Sequence, residues 1–234
     1  MSVITSAENK TYKTLKKLMV KKHRDAMGLF LVYGTHLVDK AKEAGVVTDV
    51  VTGPEGGGTI RLDEALFLSL QQTVTPYDVI AVCRKTAHRH KTSRVLVLDD
   101  VQDPDNVGAL IRSAAAFGFL HVILGKSCAD LHNEKTIRAS KGAIFDVSVE
   151  RTDIIRAIKA LKDEHFTVVA ADSGGQEPGH FDTPVALVMG NEGHGIKEGV
   201  LELADGIAGI PTRRVESLNV AVAGGILMHA WRER

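Results

Sequence analysis

The sequence has few of the features from which several classes of protein are built. Only two cysteines, Cys83 and Cys128, occur among its 234 residues. They are too few for a disulfide framework and suit a reducing compartment. No apolar run approaches the roughly 18 residues that a membrane span needs, and the first residues lack the charged-then-apolar pattern of a signal peptide. We therefore expect a cytoplasmic protein with no membrane partner.

Aromatic residues and net charge are also scarce. Aromatic residues make up 5% of the chain, and its formal net charge is zero. We therefore expect neither a broad aromatic platform for stacking bases nor a chain that binds polyanions over its whole surface. The average conceals two basic segments: residues 1–30 carry seven lysines and arginines against two acidic residues, and residues 84–94 carry five against none. Such segments can neutralise phosphates, but they can equally be solvated surface.

The pattern of residues changes near position 84. Residues 1–83 predict a small α/β domain that begins with a basic helix over 8–26, ended by Gly28. Its further predicted elements are a strand at 29–34, a helix at 35–45, a strand at 47–53, a short helix at 63–70 and a strand at 78–83. Residues 84–94 are expected to form a basic linker, and residues 95–234 a second domain.

The second domain alternates between β-rich runs and helical segments. Strands are predicted at 94–99, 121–125, 144–149, 167–172, 184–190 and 206–211, with helices at 105–118, 152–164 and 195–204 and at the carboxyl end. This alternation predicts an α/β fold with a mostly parallel sheet covered by helices on both faces. Ligands bind beyond the carboxyl ends of such strands, so loops that follow different strands are candidates for one shared site.

Three segments that follow predicted strands carry the candidate chemistry. They are DNVGALIRSAAAFG (105–118), LVMGNEGHGI (187–196) and IPTRRVESLNVAVAGGI (210–226). In the first, Asp105 or Asn106 is the predicted N-cap of a helix. Arg112 follows Asn106 by six residues, about 240° around that helix, so the two side chains do not share a face. In the third, Ser217 is the predicted N-cap of the last helix, and Asn219 falls in its first turn.

Together and in this order, the three segments resemble the motifs of the SpoU (TrmH-like) 2′-O-ribose methyltransferases of the SPOUT superfamily. The amino-terminal stretch KKHRDAMGLFLVYGTHLVDKAKEAG is similar to the small L30e-like substrate-binding domain of that family. The resemblance implies a SPOUT fold with a deep trefoil knot in the carboxyl-terminal domain. It also implies a homodimer that binds S-adenosylmethionine in the knot and has its active site at the dimer interface.

The implied reaction is methylation of a ribose 2′-hydroxyl in structured RNA, with ribosomal RNA favoured over transfer RNA. The residues that match catalytic positions of the family are Asn106, Arg112, Glu192, Ser217 and Asn219. The residues that match its cofactor wall are Met189, Gly190, Ile210 and Leu218. In this interpretation Gly190 lets the backbone wall come close to the cofactor. Arginine stays protonated, so we assign Arg112 an electrostatic role toward the reacting nucleotide rather than the role of a base.

The basic segments supply the candidate RNA contacts. They are Lys16, Lys21, Lys22, Arg24, Arg89, Lys91, Arg213 and Arg214. The last two belong to a departure from the family pattern, because the third motif has Thr212 where methionine is usual and lacks a glycine-containing turn.

Several other functions compete with this interpretation. A transfer-RNA methyltransferase, a base-methylating SPOUT enzyme and a catalytically idle RNA-binding or ribosome assembly factor all remain open. Cys83, His88 and His90 have a spacing that could bind a metal, but a fourth ligand is absent nearby, so we expect no metal site. A Ser–His hydrolase would need a G-x-S-x-G turn and a nucleotide-dependent Rossmann enzyme a G-x-G-x-x-G loop, and the sequence has neither.

Overall fold

The chain divides into two compact units, which are described separately. In a computed structural model, the described residues are 2–73, 75–86, 90–177, 179–181 and 183–232. The first unit comprises Met1–Thr86 and His132–Arg138, and the second comprises Ala87–Leu131 and Ala139–Arg234. Within the described residues, none of the helices has both the length and the apolar character needed to cross a membrane.

The first unit is an α/β unit around one mixed sheet. Its helices are α1 (Lys10–Leu18), α2 (Lys21–Met27), α3 (Thr35–Glu43) and α4 (Glu64–Ser69), and its strands are β1 (Leu29–Tyr33), β2 (Val47–Thr52), β3 (Ile60–Arg61) and β4 (Val79–Arg84). The strand order is β1-β4-β2-β3. Strand β4 runs antiparallel to both β1 and β2. The small α/β domain predicted from the sequence is therefore present.

The predicted basic helix over residues 8–26 is wrong in one respect, because the chain breaks it into α1 and α2. Val20, between them, has extended backbone angles (φ −107°, ψ 128°). Tyr12, Leu15 and Leu18 of α1 are buried in the core of the unit, and the break redirects the chain after that apolar stripe ends. Gly28 ends α2 in a left-handed conformation (φ 65°), as the sequence predicted.

The second unit is built on a parallel sheet. Its strands are β5 (Arg94–Leu98), β6 (His121–Leu124), β7 (Ser148–Arg151), β8 (Thr167–Gln176), β9 (Val185–Met189) and β10 (Gly206–Ala208). Its helices are α5 (Pro104–Ala116), α7 (Ile154–Asp163), α8 (Glu198–Leu201) and α9 (Val220–Ala230), and α6 (Glu134–Ser140) begins in the segment that belongs to the first unit. The strand order is β10-β8-β9-β5-β6-β7, and all of these pairs are parallel.

Both faces of this sheet are covered, as predicted. Successive residues of a strand point to opposite faces, and in β5 the pair Leu96 and Leu98 packs in one core while Val95 and Val97 pack in the other. Helices α5 and α9 cover the first face, and α7 and α8 cover the second. The near-continuous apolar runs in the sequence reflect this two-sided burial.

Other predicted elements also differ from the structure, and the strand predicted at 206–211 already ends at Ala208. The strand expected at 144–149 is a single 3-10 turn at Ala143–Phe145, followed by β7 four residues later than predicted. Ile144 and Val147 are buried there, so the alternating apolar pattern reflects a packed turn rather than a strand. Helix α8 has only four residues, and β8 continues four residues beyond the predicted end.

Candidate active site

A cleft of about 510 Å³ lies at the carboxyl ends of β8, β9 and β10. The loops after β9 and β10 form much of its wall, and the first turn of α9 closes one side. The residues that line it are Ala171, Asp172, Ser173, Met189, Gly190, Asn191, Glu192, Gly193, His194, Gly195, Ala208, Ile210, Thr212, Glu216, Ser217, Leu218, Asn219, Val220, Ala223 and Leu227. This volume falls in the range of small-molecule sites.

The structure places the predicted site residues in two groups relative to this cleft. All four predicted cofactor residues line it, together with three of the five predicted catalytic residues. These seven are Met189, Gly190, Ile210, Leu218, Glu192, Ser217 and Asn219. Asn106 and Arg112 do not line the cleft. Asn106 is hydrogen-bonded to two residues that do, whereas Arg112 is not.

Asn106 connects all three motifs by hydrogen bonds. Its side-chain amide donates to Glu192 Oε1 at 2.8 Å, and its Oδ1 accepts from the side-chain amide of Asn219 at 3.0 Å. Asn219 in turn accepts from the backbone amides of Ala221 and Val222 at the start of α9. One continuous set of hydrogen bonds therefore fixes the carboxylate of Glu192 relative to the last helix.

The N-caps of α5 and α9 both differ from those predicted from the sequence. Asp103, not Asp105 or Asn106, is the N-cap of α5, where it accepts from the Asp105 amide at 2.8 Å. Pro104 occupies the first turn, which suits its fixed φ and missing N–H. Asn219, not Ser217, is the N-cap of α9. Asn106 therefore lies inside the first turn of α5, and Ser217 is free of the structural role that capping would give it.

Arg112 is exposed and forms no hydrogen bond or ion pair with any residue that the structure describes. It projects from α5 on a different side from Leu110 and Ile111, which are buried. Within one chain, Arg112 and the hydrogen bonds of Asn106 do not converge, as their spacing around the helix predicts.

Gly190 is required for a reason that differs from the prediction. A Cβ atom at this position would lie 2.5 Å from both the Gly195 carbonyl carbon and the Ile196 amide nitrogen. The space is therefore occupied by the loop itself, which folds back so that Asn191 and Gly195 exchange two backbone hydrogen bonds of 3.0 Å. Glycine at 190 shapes the loop, and the wall of the cleft follows from that shape.

Charged side chains in the cleft are mostly acidic. The carboxylates of Asp172, Glu192 and Glu216 line it together with His194. Sequence reasoning missed Asp172 and its neighbour Ser173, which are the last residue of a predicted strand and the residue after it. The rule that parallel strands bind ligands at their carboxyl ends applies to this strand too and could have found them.

The predicted RNA-binding residues fall into distinct environments. In the first unit, Arg24 is buried and donates to the Leu18 carbonyl oxygen at 2.9 Å, so it holds the end of α1 instead of facing solvent. Lys16 donates to the Ser69 carbonyl oxygen at 3.0 Å, and Lys21 forms an ion pair with Asp25 at 2.5 Å. Lys22 is exposed.

In the second unit, Lys91, Arg213 and Arg214 are exposed. Arg89 lies outside the described residues, as does His88 of the alternative metal site. Burial raises the pKa of the Cys83 thiol to about 12, which opposes the thiolate that metal binding needs.

The fold and the site define a class of protein: an α/β protein whose ligand cleft lies at the carboxyl edge of a parallel sheet and carries the three ordered methyltransferase motifs. The chain belongs to the SpoU rRNA Methylase family, whose profile matches residues 93–229. Residues 9–89 match the MRM3-like substrate binding domain. The resemblance inferred from the sequence is confirmed.

Relatives extend over the whole chain. The 23S rRNA (guanosine(2553)-2′-O)-methyltransferase RlmP of Bacillus subtilis (strain 168) is 37% identical, with 99% of this chain and 100% of that protein covered. An AdoMet-bound rRNA methyltransferase from Sinorhizobium meliloti is 28% identical with a TM-score of 0.83, covering 97% of this chain and 95% of that one. A solved RNA 2′-O ribose methyltransferase is 26% identical with a TM-score of 0.82, covering 98% and 97%.

Proposed function

We propose that the protein transfers the methyl group of S-adenosylmethionine to a ribose 2′-hydroxyl of ribosomal RNA. The observation that carries this proposal is the Glu192–Asn106–Asn219 set of hydrogen bonds beside the cleft, in a chain related over its full length to a 23S rRNA 2′-O-methyltransferase. Full-length similarity includes the amino-terminal unit, which supports ribosomal over transfer RNA. Two solved tRNA-modifying relatives cover only 60% and 56% of this chain.

The cleft fits the cofactor in size and in chemistry. S-adenosylmethionine, when bound, supplies a methyl group already activated by a positively charged sulfur. Met189, Ile210 and Leu218 provide an apolar wall, and the acidic lining favours a cation. The third motif, despite Thr212, still forms part of this wall, where the Thr212 hydroxyl donates to the Val215 carbonyl oxygen at 2.7 Å.

Arg112 has the chemistry to hold a phosphate of the RNA and to stabilise charge that develops on the ribose oxygen. Its exposure leaves the guanidinium available to an anion. Because it does not line the cleft of its own chain, we propose that it acts in the cleft of a second copy, within a homodimer. Glu192 and Asn106 then orient the nucleotide, and Ser217 and Asn219 hold the adjoining loop.

The surface of α9 supports the homodimer. This helix is apolar almost all round, and Val222 and Ile226 are 52% and 43% exposed. A helix without a polar face is usually covered on every side, so a second copy of the chain is the occupant that the proposed function requires. The trefoil knot and the cytoplasmic location expected from the sequence remain predictions.

RNA selection is assigned to the first unit and to the exposed basic residues Lys22, Lys91, Arg213 and Arg214. Contacts of this kind release counterions, so affinity for the RNA should fall steeply as salt rises. Arg24 is omitted from this set because it is buried.

The test is transfer of labelled methyl from S-adenosylmethionine to separated rRNA and tRNA from cells lacking the protein, with Arg112→Ala as the matched variant. Label in rRNA only, resistant to base removal and mapped to a ribose, supports the proposal. Label in tRNA or on a base would replace it with one of the alternatives. Arg112→Ala should lose transfer nearly completely while cofactor affinity, measured by calorimetry, stays within a few-fold. Loss of cofactor binding would contradict the role given to Arg112.

A further inference from the structure

Asp99 is a buried carboxylate next to the cleft that the mechanism above does not use. It follows directly after β5, and its side chain is only 3% exposed. Its Oδ2 accepts the backbone amide of Lys197 at 3.1 Å, and its Oδ1 accepts the Lys197 ammonium at 3.2 Å. A buried carboxylate is costly unless it is paired and hydrogen-bonded, so this pair needs a structural or functional reason.

Lys197 is the last residue of the loop that carries Gly190 and Glu192. The loop is held at its beginning as well, because the Asn191 side-chain amide donates to the Asp100 carbonyl oxygen at 2.9 Å. Between these two points, Asn191 and Gly195 close the loop with two backbone hydrogen bonds. Asp99 and Asp100 thus hold the two ends of the loop from the end of one strand.

Strain at Asp100 shows how tightly this junction is constructed. Asp100 has a φ of 64°, a left-handed conformation that a residue with a side chain rarely adopts. Such strain persists only where surrounding contacts fix it. Here those contacts are the hydrogen bond that the Asn191 side-chain amide donates to the Asp100 carbonyl oxygen and an ion-pair contact of 3.9 Å between the Asp100 carboxylate and the Lys197 ammonium.

Electrostatics keep the Lys197 side chain charged in this setting. Partial burial acts to lower its pKa, but the hydrogen bond that the ammonium donates to Asp99 and the charges of Asp99 and Asp100 outweigh burial and raise the pKa. The Lys197 side chain is half exposed, whereas that of Asp99 is buried. The fixed carboxylate of Asp99 therefore sets the position of the Lys197 side chain.

We propose that Asp99, through Lys197, is a positioning residue that fixes the loop 190–197 in the shape that binds the cofactor and presents Glu192. This inference rests on the proposed function. Glu192 lies between the two fixed ends and is directed to Asn106 at 2.8 Å. Release of the Lys197 end therefore loosens the carboxylate and the Gly190 wall together.

A second aspartate–lysine pair in the same unit supplies a matched control. Asp205 accepts the Lys162 ammonium at 2.6 Å and the Val168 backbone amide at 2.9 Å, a similar set of contacts at a more exposed position. Neither Asp205 nor Lys162 lines the cleft. Lys162→Met therefore removes an aspartate–lysine ion pair of the same unit without touching the loop.

The first measurement is amide hydrogen exchange at Gly195, whose N–H donates to the Asn191 carbonyl oxygen, in the protein without cofactor. Lys197→Met should speed this exchange about tenfold or more, as expected for loss of a charge-assisted hydrogen bond. Lys197→Arg should restore most of the protection, and Lys162→Met should leave it unchanged. Unchanged exchange in Lys197→Met would overturn the proposal, whatever the cofactor does.

The second measurement is S-adenosylmethionine affinity by calorimetry alongside the thermal midpoint. Lys197→Met should weaken binding about tenfold or more, whereas Lys162→Met should bind as the unmodified protein does. Equal weakening in both variants would reduce Asp99 to a stabilising residue and overturn the positioning role. If the unmodified protein binds no S-adenosylmethionine, the proposed function fails, while the exchange data still decide whether Asp99 holds the loop.

Discussion

At the scale of single residues, a substitution at Gly190 should change both cofactor affinity and stability. Gly190→Ala places a methyl group 2.5 Å from backbone atoms of Gly195 and Ile196, and backbone cannot move aside as a side chain can. We expect the loop to shift and S-adenosylmethionine affinity to fall more than tenfold, at a stability cost of about 1–3 kcal/mol. Calorimetric titration with the cofactor and thermal unfolding measure the two effects.

Gly199→Ala is the control, because a Cβ at Gly199 meets only the Ile155 side chain at 4.0 Å, an ordinary contact. It lies inside α8, where alanine is the better helix former. Cofactor binding should be unaffected in this variant. Binding by Gly190→Ala at the unmodified affinity would show that the loop tolerates the displacement and does not shape the wall.

Candidate site residues could be chosen from the sequence, but their hydrogen-bond partners could not. Asn106, Glu192 and Asn219 were identified from motif identity alone. Their contact depends on side chains 86 and 113 residues apart in sequence, which no local pattern encodes. The prediction of Ser217 as a helix cap was wrong because serine and asparagine cap equally well, and only the start of α9 decides between them.

At the scale of elements, Arg94 connects the beginning of the central strand β5 to the end of the last helix. Its buried guanidinium donates to the carbonyl oxygens of Trp231 at 2.6 Å, Phe181 at 2.9 Å and Thr183 at 3.1 Å. Lysine has no planar fork that could satisfy these acceptors together. We expect Arg94→Lys to destabilise the protein by about 2–4 kcal/mol, measured by urea unfolding.

Arg214→Lys is the matched control, since Arg214 is exposed and such changes usually stay within about 0.5 kcal/mol. Arg94 lies in the segment that the sequence presented as a basic linker. A destabilisation of Arg94→Lys no larger than that of the control would mean that the carbonyl contacts contribute little.

An ion-paired carboxylate in the first unit should give it an acid-sensitive component of stability. Asp25 in α2 pairs with Lys21 and with Lys85, which follows β4, each at 2.5 Å. The hydrogen bonds from Lys21 and then Lys85 lower the Asp25 pKa from 3.8 to about 2. A lowered pKa stabilises the fold above the unfolded value, and this stabilisation is lost as pH falls from about 4 through about 2.

The thermal midpoint of the unmodified protein should therefore fall more steeply between pH 4 and pH 2, about the window given by these pKa values, than that of Asp25→Asn. The difference should shrink in high salt, because the pairs are partly exposed. Asp78→Asn, at an exposed aspartate, is the control and should follow the unmodified protein. If the thermal midpoints of all three proteins fell equally with pH, a stabilising role for these ion pairs would be contradicted.

Elements with strong, regular patterns were predictable, and those decided by local packing were not. The strands β5, β6 and β9 were predictable because both of their faces are buried, so their sequences are continuous apolar runs. The segment that contains the 3-10 turn at Ala143–Phe145 has an alternating apolar pattern, but Gly142 before it adopts a left-handed conformation (φ 94°). That backbone angle starts the turn, and the sequence pattern alone does not distinguish it from a strand.

At the scale of the whole molecule, the sequence predicts a parallel sheet but not its strand order. The neighbours β5 and β9 are paired although they lie about 90 residues apart in the chain, and short-range patterns carry no information on such pairing. The knot expected from the family is likewise a property of the complete path of the chain. The prediction of a homodimer was made from the family resemblance, and the exposed apolar residues of α9 support it.

Mixing two inactive variants tests whether the active site forms between two copies. Arg112→Ala keeps Glu192 but lacks the arginine, whereas Glu192→Gln keeps the arginine but lacks the carboxylate. If Arg112 acts in the cleft of the other copy, a mixed dimer has one intact site, which combines Glu192 of the first variant with Arg112 of the second. Random exchange of equal amounts makes half of the dimers mixed, so about a quarter of the unmodified methyl-transfer activity should return.

If Arg112 acts within its own chain, both sites of a mixed dimer are defective and no activity returns, so the two arrangements give opposite results. Adding Ile226→Asp to both variants should abolish the recovery, because a charge on the exposed apolar face of α9 opposes dimerisation, and sedimentation should then show monomers. Ile207→Asp, at an isoleucine 45% exposed on β10, should leave the recovery intact. A loss of recovery with Ile207→Asp but not with Ile226→Asp would move the dimer interface away from α9.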